Sequence, residues 1–236
     1  MSEQEQKQES TAEELLSYLY PKAFKCPVCT QEFNNFIVRR NRLRLVKTDI
    51  DFRSYYKVID PNDYEVVLCT HCGYAALSSY FDKILNKQKA LIKEKITPNY
   101  TPAIHEVPLS KQDVLTRFTM AIQCAKAMGV KVSQESFIYM KVAWFYRGLE
   151  DTKNEKVFLR AAYKGLKTAF SEEGFPIGNM DEPTTRLILG DFARRLGEFE
   201  ESLRWIGEVV INPAVTHVIK ERAQMVKELA REEDPS

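Results

Sequence analysis

Lys25-Cys26-Pro27-Val28-Cys29 and Leu68-Cys69-Thr70-His71-Cys72-Gly73 are the two stretches that decide the fold of the first half of the chain. In each stretch two residues separate a pair of cysteines, a spacing at which one tight turn directs both sulfurs toward a single ion. Pro27 and Gly73 are turn residues, and we expect Gly73 to adopt a left-handed conformation. Two such turns provide the four thiolates of a closed tetrahedral site. The sequence therefore predicts a metal site formed by Cys26, Cys29, Cys69 and Cys72.

Zinc is the metal that this ligand set favours. Iron is the less favoured alternative, because the two knuckles are also similar to those of rubredoxin. Nothing else in the sequence suggests electron transfer. Four thiolates leave no open coordination position, so we expect a structural zinc and not a catalytic one. His71 is an alternative ligand, although an exposed position in the turn is the simpler interpretation.

Disulfide bonding is the alternative interpretation of the cysteines, and it requires an oxidising compartment. Residues 1–14 (MSEQEQKQESTAEE) have no apolar core of the kind found in a signal peptide. No apolar run approaches the ~18 residues of a membrane span. The 236 residues include 34 Lys and Arg and 33 Asp and Glu, a balance that indicates neither a membrane nor a nucleic-acid partner. We therefore expect a soluble cytoplasmic protein without a membrane partner.

The cysteine pairs and their surroundings predict a zinc-ribbon-like β module over residues 21–96. The 39 residues between Cys29 and Cys69 exceed the ~15–20 of compact zinc patterns, which indicates an inserted hairpin. Residues 1–20 are expected to be a mobile tail that runs into a short helix or turn at residues 15–20. Propensity and periodicity predict three strands, over residues 36–46, 50–59 and 64–68. They also predict a trailing helix over residues 78–96.

Three arginines in the first predicted strand support an alternative function. Arg40, Arg42 and Arg44 occupy every second position, the period of a strand with one basic face. Aromatic residues of the next strand provide rings nearby. This combination favours nucleic acid, with cations for phosphates and rings for base stacking. A solvated sheet face with the aromatic residues in a small core is the simpler interpretation, and both stay open.

The rest of the chain is predicted to be helical. Residues 97–109 contain three prolines and interrupt the periodicity, so we predict a linker there. Residues 110–236 follow as an all-α domain. Ser110 and Asp113 resemble a capping box that opens its first helix, and Gly129 ends that helix. Five further helices are expected, over residues 134–149, 154–170, 182–196, 198–211 and 215–230.

One helical pair carries a recognisable pattern. Leu189-Gly190-Asp191-Phe192 and Leu196-Gly197-Glu198-Phe199, followed by Ser202, Trp205 and Pro213, resemble a tetratricopeptide repeat. We expect Gly190 and Ser202 to lie where the paired helices approach most closely. The repeat is degenerate, because Ala193 stands where the motif usually has Tyr. The predicted fold class is α+β, a small zinc-ribbon-like β module followed by an all-α, tetratricopeptide-like stack of helical hairpins.

Three features together carry a family resemblance. The first knuckle Cys26-Pro27-Val28-Cys29, residues 60–76 (DPNDYEVVLCTHCGYAA) and the repeat-like tail resemble the bacterial domain-of-unknown-function family 2225. The resemblance covers residues 23–230, and the second knuckle with its trailing Gly-Tyr-Ala-Ala is its most specific part. It implies a bacterial cytoplasmic setting and a two-part architecture, and it implies no activity.

We favour a non-catalytic interaction or scaffold module, in which a zinc-stabilised ribbon accompanies a helical surface that binds a protein or peptide partner. Nucleic-acid binding through Arg40, Arg42 and Arg44 is the second hypothesis. An enzyme of unknown class is the third, since the sequence has no G-x-S-x-G, Walker, H-E-x-x-H or dinucleotide motif. A homo-oligomer, the identity of the partner and the orientation of the two halves are left open.

Overall fold

The computed structural model describes residues 11–102 and 106–234 as a mixed fold of short β-hairpins and stacked helices. Within those residues three two-stranded antiparallel sheets pair β1 (Leu19–Lys25) with β2 (Glu32–Val38), β3 (Leu45–Thr48) with β4 (Ser54–Tyr56), and β5 (Val66–Leu68) with β6 (Ala75–Leu77). The helices are α1 (Ala12–Ser17), α2 (Asn86–Lys95), α3 (Lys111–Met128), α4 (Val132–Gly148), α5 (Thr152–Glu172), α6 (Glu182–Leu196), α7 (Phe199–Ile211) and α8 (His217–Glu233). The predicted combination of a small β part and a helical stack is confirmed.

The single strand predicted over residues 36–46 is wrong over residues 39–44, which lie between the end of β2 at Val38 and the start of β3 at Leu45. Arg40–Arg42 instead form a 3-10 turn. One Arg42 guanidinium nitrogen donates to the Ser17 carbonyl at 2.9 Å, which holds this turn against the end of α1. Leu45 is 60% exposed, so its alternation with the arginines does not mark a buried face. A strand with one basic and one apolar face therefore does not form.

The described part of the predicted tail forms regular structure. Thr11 caps α1 by accepting the Glu14 N–H at 3.2 Å. The helix ends at Ser17, and Leu19 begins β1 with only 4% exposure. The short predicted helix is thus present, but it begins and ends earlier than expected. Residues 1–10 of the predicted tail lie outside the described residues.

The trailing helix predicted over residues 78–96 is shorter than expected. Residues 78–85 form turns and an extended segment, and α2 begins only at Asn86. The Leu85 N–H donates to the Gln88 side chain at 3.0 Å, a cap that fixes this start. Phe81 is fully buried in the turn region and packs on Tyr74. Its burial, and not a helical stripe, explains the apolar residues before α2.

The helices of the second half match the sequence predictions to within three residues at each end. Ser110 and Asp113 form the predicted capping box, with the Asp113 N–H donating to the Ser110 hydroxyl at 3.1 Å. Gly129 ends α3 in a left-handed conformation, with φ of 56°. In the part of the chain that the structure describes, no helix combines the length and hydropathy that a bilayer crossing requires.

Glycine and serine bring the helices of each hairpin together. On α6, Gly190 accepts a hydrogen bond from the Ser202 hydroxyl of α7 at 2.8 Å through its carbonyl. A Cβ at Gly190 would lie 2.5 Å from Ile206, so only glycine fits without a shift. A Cβ at Gly165 of α5 would likewise lie too close to the Ser136 hydroxyl of α4. The predicted close approach at Gly190 and Ser202 is confirmed.

One hydrophobic core crosses the predicted boundary at residues 97–109. Helix α3 lies on β5 and β6, and α2 packs on α3. The core runs from the cysteine knuckles through Phe118 and Cys124 of α3 to Phe192 of α6. The two halves therefore share an interface, and the proposed domain division stays a prediction about chain organisation. Residues 103–105 of the predicted linker lie outside the described residues.

Residues 49–53, which we call the docked loop, connect β3 to β4 and contact the distant helices. The Asp49 N–H donates to the Arg53 carbonyl at 2.8 Å and closes the loop. Ile50 is 8% exposed, and it packs in a core with residues of α6 to α8 and of the segment between α7 and α8, namely Leu187, Ile206, Val209, Val215, Ala223 and Val226. The strand predicted over residues 50–59 is consequently reduced to β4.

Candidate metal centre

Each cysteine pair lies at the tip of a β-hairpin, Cys26 and Cys29 between β1 and β2, and Cys69 and Cys72 between β5 and β6. The two tips are built alike. The first cysteine of each pair makes the same two backbone hydrogen bonds, to the residues four and five positions later, at 2.8–3.0 Å. Residue 30 and residue 73, which follow the pairs, have φ of 65° and 77°. The left-handed conformation predicted for residue 73 is confirmed.

The four sulfurs converge between the two hairpin tips. The Cys26 and Cys72 sulfurs are 3.6 Å apart, as are those of Cys29 and Cys69, and all four lie within 4.8 Å of one another. A tetrahedron with metal–sulfur bonds of about 2.3 Å has sulfur–sulfur edges of about 3.8 Å. A disulfide requires about 2.05 Å, and the cysteines are free thiols. The spacing fits a four-thiolate metal site.

The electrostatics of the cluster also suit a cation. Cys26, Cys69 and Cys72 are at most 2% exposed. Hydrogen bonds from the Cys69 and Cys72 thiols lower the pKa of Cys26 to about 2. The hydrogen bond to Cys26 in turn raises the pKa of Cys69 to about 12. A divalent cation would replace the shared protons, so binding to this cluster releases protons and weakens as the pH falls.

The second tip is held from outside by residues of the predicted linker and of α3. A Cβ at Gly73 would lie 2.5 Å from the Tyr100 ring, so the ring requires glycine at this position. The Thr97 hydroxyl donates to the Cys72 carbonyl at 3.1 Å. The Cys124 thiol lies 3.3 Å from the Ala75 nitrogen, and burial raises the pKa of Cys124 to about 12. These contacts join the metal centre to the helical half.

His71 lies on the surface of the second tip. Its imidazole is exposed, and one ring nitrogen lies 3.2 Å from the Glu32 carbonyl on the other hairpin. The four cysteine sulfurs converge without it. The structure therefore favours the surface interpretation of His71 over a ligand role.

Arg40, Arg42 and Arg44 are exposed, but they lie on a turn and the segment after it, not on a strand face. Arg40 borders a cavity of about 710 Å³ that Lys22 and Tyr20 also line. Arg42 is held by its hydrogen bond to Ser17. The nucleic-acid role of the three arginines stays a prediction, now without the regular spacing that suggested it.

A buried ionic network around the docked loop is a feature that the sequence interpretation misses. Asp51 is fully buried, and its carboxylate accepts hydrogen bonds from Trp144 and Arg147 of α4, each at 2.9 Å. Arg147 also contacts Asp49 at 3.0 Å and Glu155 at 2.6 Å. The loop is thereby tied to α4 by charge-assisted hydrogen bonds.

The same network continues into α6 and α8. Arg195 of α6 lies 3.5 Å from Asp49 and 2.8 Å from Asp191, which is itself fully buried. Arg194 links Asp191 to Glu233 near the end of α8. Burial opposes ionisation of Asp51, but the neighbouring Arg147 charge outweighs it and holds the pKa of Asp51 below its ordinary value.

Sequence signals for this network are weak. Asp49-Ile50-Asp51-Phe52 places charged residues next to apolar ones, so it has neither the alternation of a strand nor the stripe of a helix. Trp144 and Arg147 lie one helical turn apart on α4, which puts both on one face. That spacing identifies a shared face but not the loop that covers it.

Comparison with known proteins identifies a family whose model spans nearly the whole chain. The family model described as "Uncharacterized protein conserved in bacteria (DUF2225)" matches residues 19–233, from the first residue of β1 to the last of α8. An "Uncharacterized protein" of Borreliella burgdorferi is 24% identical over 166 residues, which is 67% of this chain and 54% of that protein. The chain thus spans about half the length of this curated relative. No solved structure matches the chain significantly.

Proposed function

The chain belongs to the family of uncharacterised proteins conserved in bacteria (DUF2225), and we propose that it is a zinc-stabilised, non-catalytic interaction module. The observation that carries this proposal is the convergence of four cysteine sulfurs from two hairpin tips at tetrahedral spacing. Four thiolates complete the preferred coordination of zinc and leave no position for a substrate. The metal then acts as a cross-link between β1–β2 and β5–β6.

The helical half is the proposed partner-binding part. Two helical hairpins, α4–α5 and α6–α7, pack one after the other, and α8 packs on both α6 and α7. Small residues at the hairpin contacts, Gly165 and Gly190, support a tetratricopeptide-like stack. Stacks of this kind bind protein or peptide partners along an extended face. Free thiols at the metal centre support a reducing compartment, the bacterial cytoplasm.

Metal analysis tests the first half of the proposal. We expect one zinc per chain by elemental analysis, and tetrahedral four-sulfur coordination by X-ray absorption. A Cys69→Ser, Cys72→Ser variant should lose the metal, whereas Cys124→Ala should retain it, because Cys124 lies outside the cluster. Iron at full occupancy, or a metal-bound water, would contradict the structural zinc.

Partner capture tests the second half. The intact protein and the Cys69→Ser, Cys72→Ser variant are used as baits in lysate of the source bacterium, with Cys124→Ala as the matched control. We expect the same protein to be enriched by all three baits, because the helices that form the proposed partner surface keep most of their structure when the metal is lost. Failure of any protein to bind reproducibly, in lysate or after cross-linking, would contradict an interaction module.

Nucleic-acid binding is the second candidate function, and the cavity of about 710 Å³ that Arg40 borders favours it. Basic and aromatic side chains pair along this cavity, with Lys22 5.0 Å from the centre of the Phe24 ring and Arg39 4.9 Å from that of Tyr20. Cations and rings suit a single strand. A Lys22→Ala, Arg40→Ala variant should then reduce oligonucleotide retention at low salt, with Arg204→Ala as control. Absence of retention by the intact protein would rule this function out.

A further inference from the structure

We propose that the faces of α4, α6 and α8 that hold the docked loop form a peptide-binding site, and that the loop occupies it as an intramolecular ligand. The external ligand would be a hairpin tip of a partner protein. Like residues 49–52 of this chain, that tip would carry an acidic, an apolar, an acidic and an aromatic residue in succession. We call Trp144, Arg147, Arg195 and Arg222 the docking face. This inference rests on the proposed function, because it assigns the surface and the kind of partner of the interaction module.

The docking face recognises the acidic side chains of the loop by direct contact. Arg147 bridges Asp49 and Asp51 at 3.0 and 2.9 Å, and the Trp144 ring nitrogen donates to Asp51 at 2.9 Å. These helical residues lie more than ninety positions from the loop in sequence. The contact is therefore a tertiary one, which a local turn does not impose.

Arg222 of α8 contacts the backbone and the Phe52 ring of the same loop. Its guanidinium donates to the Asp49 carbonyl at 2.7 Å and lies 4.7 Å from the centre of the Phe52 ring. Ile50 fills the apolar space between α6, α7 and α8. Each of the first four residues of the loop thus has its own complementary contact. Charge complementarity of this kind gives a surface specificity for an acidic segment.

The charge of the helical surface favours an acidic occupant. Around the loop, the helices contribute four guanidinium groups, Arg147, Arg194, Arg195 and Arg222. Against these, the helices contribute three carboxylates that contact them, Glu155, Asp191 and Glu233. Without Asp49 and Asp51, the helical surface would hold an excess positive charge in a desolvated setting. The excess is one positive charge, so an incoming segment must supply at least one carboxylate.

The docked loop has the properties of a segment that can leave. It is carried by β3 and β4, strands of four and three residues that form a sheet of their own. A two-stranded hairpin of this size is marginal in water. Phe52 holds φ at 67°, a conformation that is costly for a residue other than glycine. Leu45 and Val46 are 60% and 66% exposed, so β3 gains little from burial.

A peptide added in trans tests the proposal. The probe is a head-to-tail cyclised, fluorescein-labelled peptide of residues 45–56, and the host is the full chain with residues 49–53 replaced by Gly-Ser-Gly-Ser-Gly. We expect the host to bind the probe at least ~10-fold more tightly than wild type does, because the tethered loop competes at an effective concentration on the order of mM. A probe with both aspartates changed to Asn should bind ~10-fold more weakly or worse.

Variants of the host identify the surface. Arg147→Ala and Arg222→Ala should each abolish binding of the probe, whereas Arg204→Ala, on an exposed ion pair of α7, should leave it unchanged. Circular dichroism and a cooperative melt establish that each host variant is folded. A folded host that does not bind the probe, or binds the Asn probe equally well, would overturn the proposal. Partner capture is a separate assay, so this failure leaves the proposed function standing.

Hydrogen exchange on the wild-type chain covers the case of a host that does not fold. We expect amides of residues 45–56 to exchange through a local opening, at least ~10-fold faster than the buried amides of α6. Exchange of both segments only with global unfolding would mean that the loop never leaves its site. That result would overturn the proposal without any substitution.

Discussion

The metal centre and the docked loop connect parts of the molecule by opposite means, the first between two hairpins of the β part and the second between the β part and the helices. At the metal centre, two local turns bring four identical ligands to one point. At the docked loop, Asp51 meets side chains more than ninety residues away, and each partner is chemically different. The metal centre is therefore specified by short-range spacing, whereas the docked loop depends on the final arrangement of three helices.

This difference has an energetic consequence. Bound metal stabilises the folded state directly, because its ligands do not converge in the unfolded chain. A buried ion pair gains attraction but loses hydration, so its net contribution is small although removal of one partner is costly. We infer that the metal centre supplies stability, and that the docked loop supplies specificity for one arrangement of the helices. The two regions should respond differently to disruption.

Metal removal is expected to have the largest effect. The apparent binding free energy of structural zinc is on the order of 10 kcal/mol, and chelation removes it. We expect β1, β2, β5 and β6 to lose protection from hydrogen exchange, followed by α3, which packs on β5 and β6. Helices α6 to α8 should keep most of their protection. Segment-resolved exchange by mass spectrometry measures this difference.

The control for metal removal is Cys124→Ala, which deletes a buried thiol near the centre but outside the cluster. We expect a loss of roughly 1 kcal/mol with the metal retained. Unchanged exchange of the two cysteine hairpins after complete removal of the metal would contradict a structural role. Simultaneous loss of α6 to α8 would contradict the separation of the two regions.

Loss of the Asp51 carboxylate is expected to have the next largest effect. Asp51→Ala leaves Arg147 buried beside fewer anions, and we expect a loss of about 3–5 kcal/mol. Chemical denaturation measures the change in the free energy of unfolding. The matched control is Glu200→Ala, which breaks the exposed pair with Arg204 and should change stability by less than about 1 kcal/mol. Equal effects of the two substitutions would show that the network has no special role.

The two regions also differ in how far sequence could predict them. The cysteine cluster and the six helices of the second half follow from local spacing, so their positions were predictable from residues such as Gly73 and Ser110. The partners of Asp51 were not predictable, because no residue near Asp51 in the sequence indicates a contact with α4. The alternation of Arg40, Arg42 and Arg44 was misleading, since a period of two marks a strand only where one face is buried.

Helical packing beneath the docked loop is tested by a pair of glycines. Gly190→Ala on α6 places a Cβ 2.5 Å from Ile206, and we expect a loss of about 1–3 kcal/mol from overpacking. Gly207→Ala on α7 meets no atom within 4 Å, so we expect a gain of about 0.5–1 kcal/mol from helix propensity. Thermal denaturation distinguishes the expected loss of stability from the expected gain. A stabilised Gly190→Ala variant would contradict the close approach that supports the docking face.

The smallest expected effect lies at Asp63, in the turn between the docked loop and β5. Burial, with a further contribution from Asp60, raises the pKa of Asp63 to about 8 from an ordinary 3.8. Between these values the unfolded chain is ionised at this position and the folded chain is protonated, so stability falls as the pH rises through this window. Asp63→Asn removes the titration. We therefore expect the variant to match wild type near pH 4 and to exceed it at pH 9 by roughly 1 kcal/mol, because solvent still reaches this half-buried group. That gain corresponds to a melting temperature about 2–4 °C higher. An equal difference in stability between the variant and wild type at both pH values would contradict a raised pKa of Asp63.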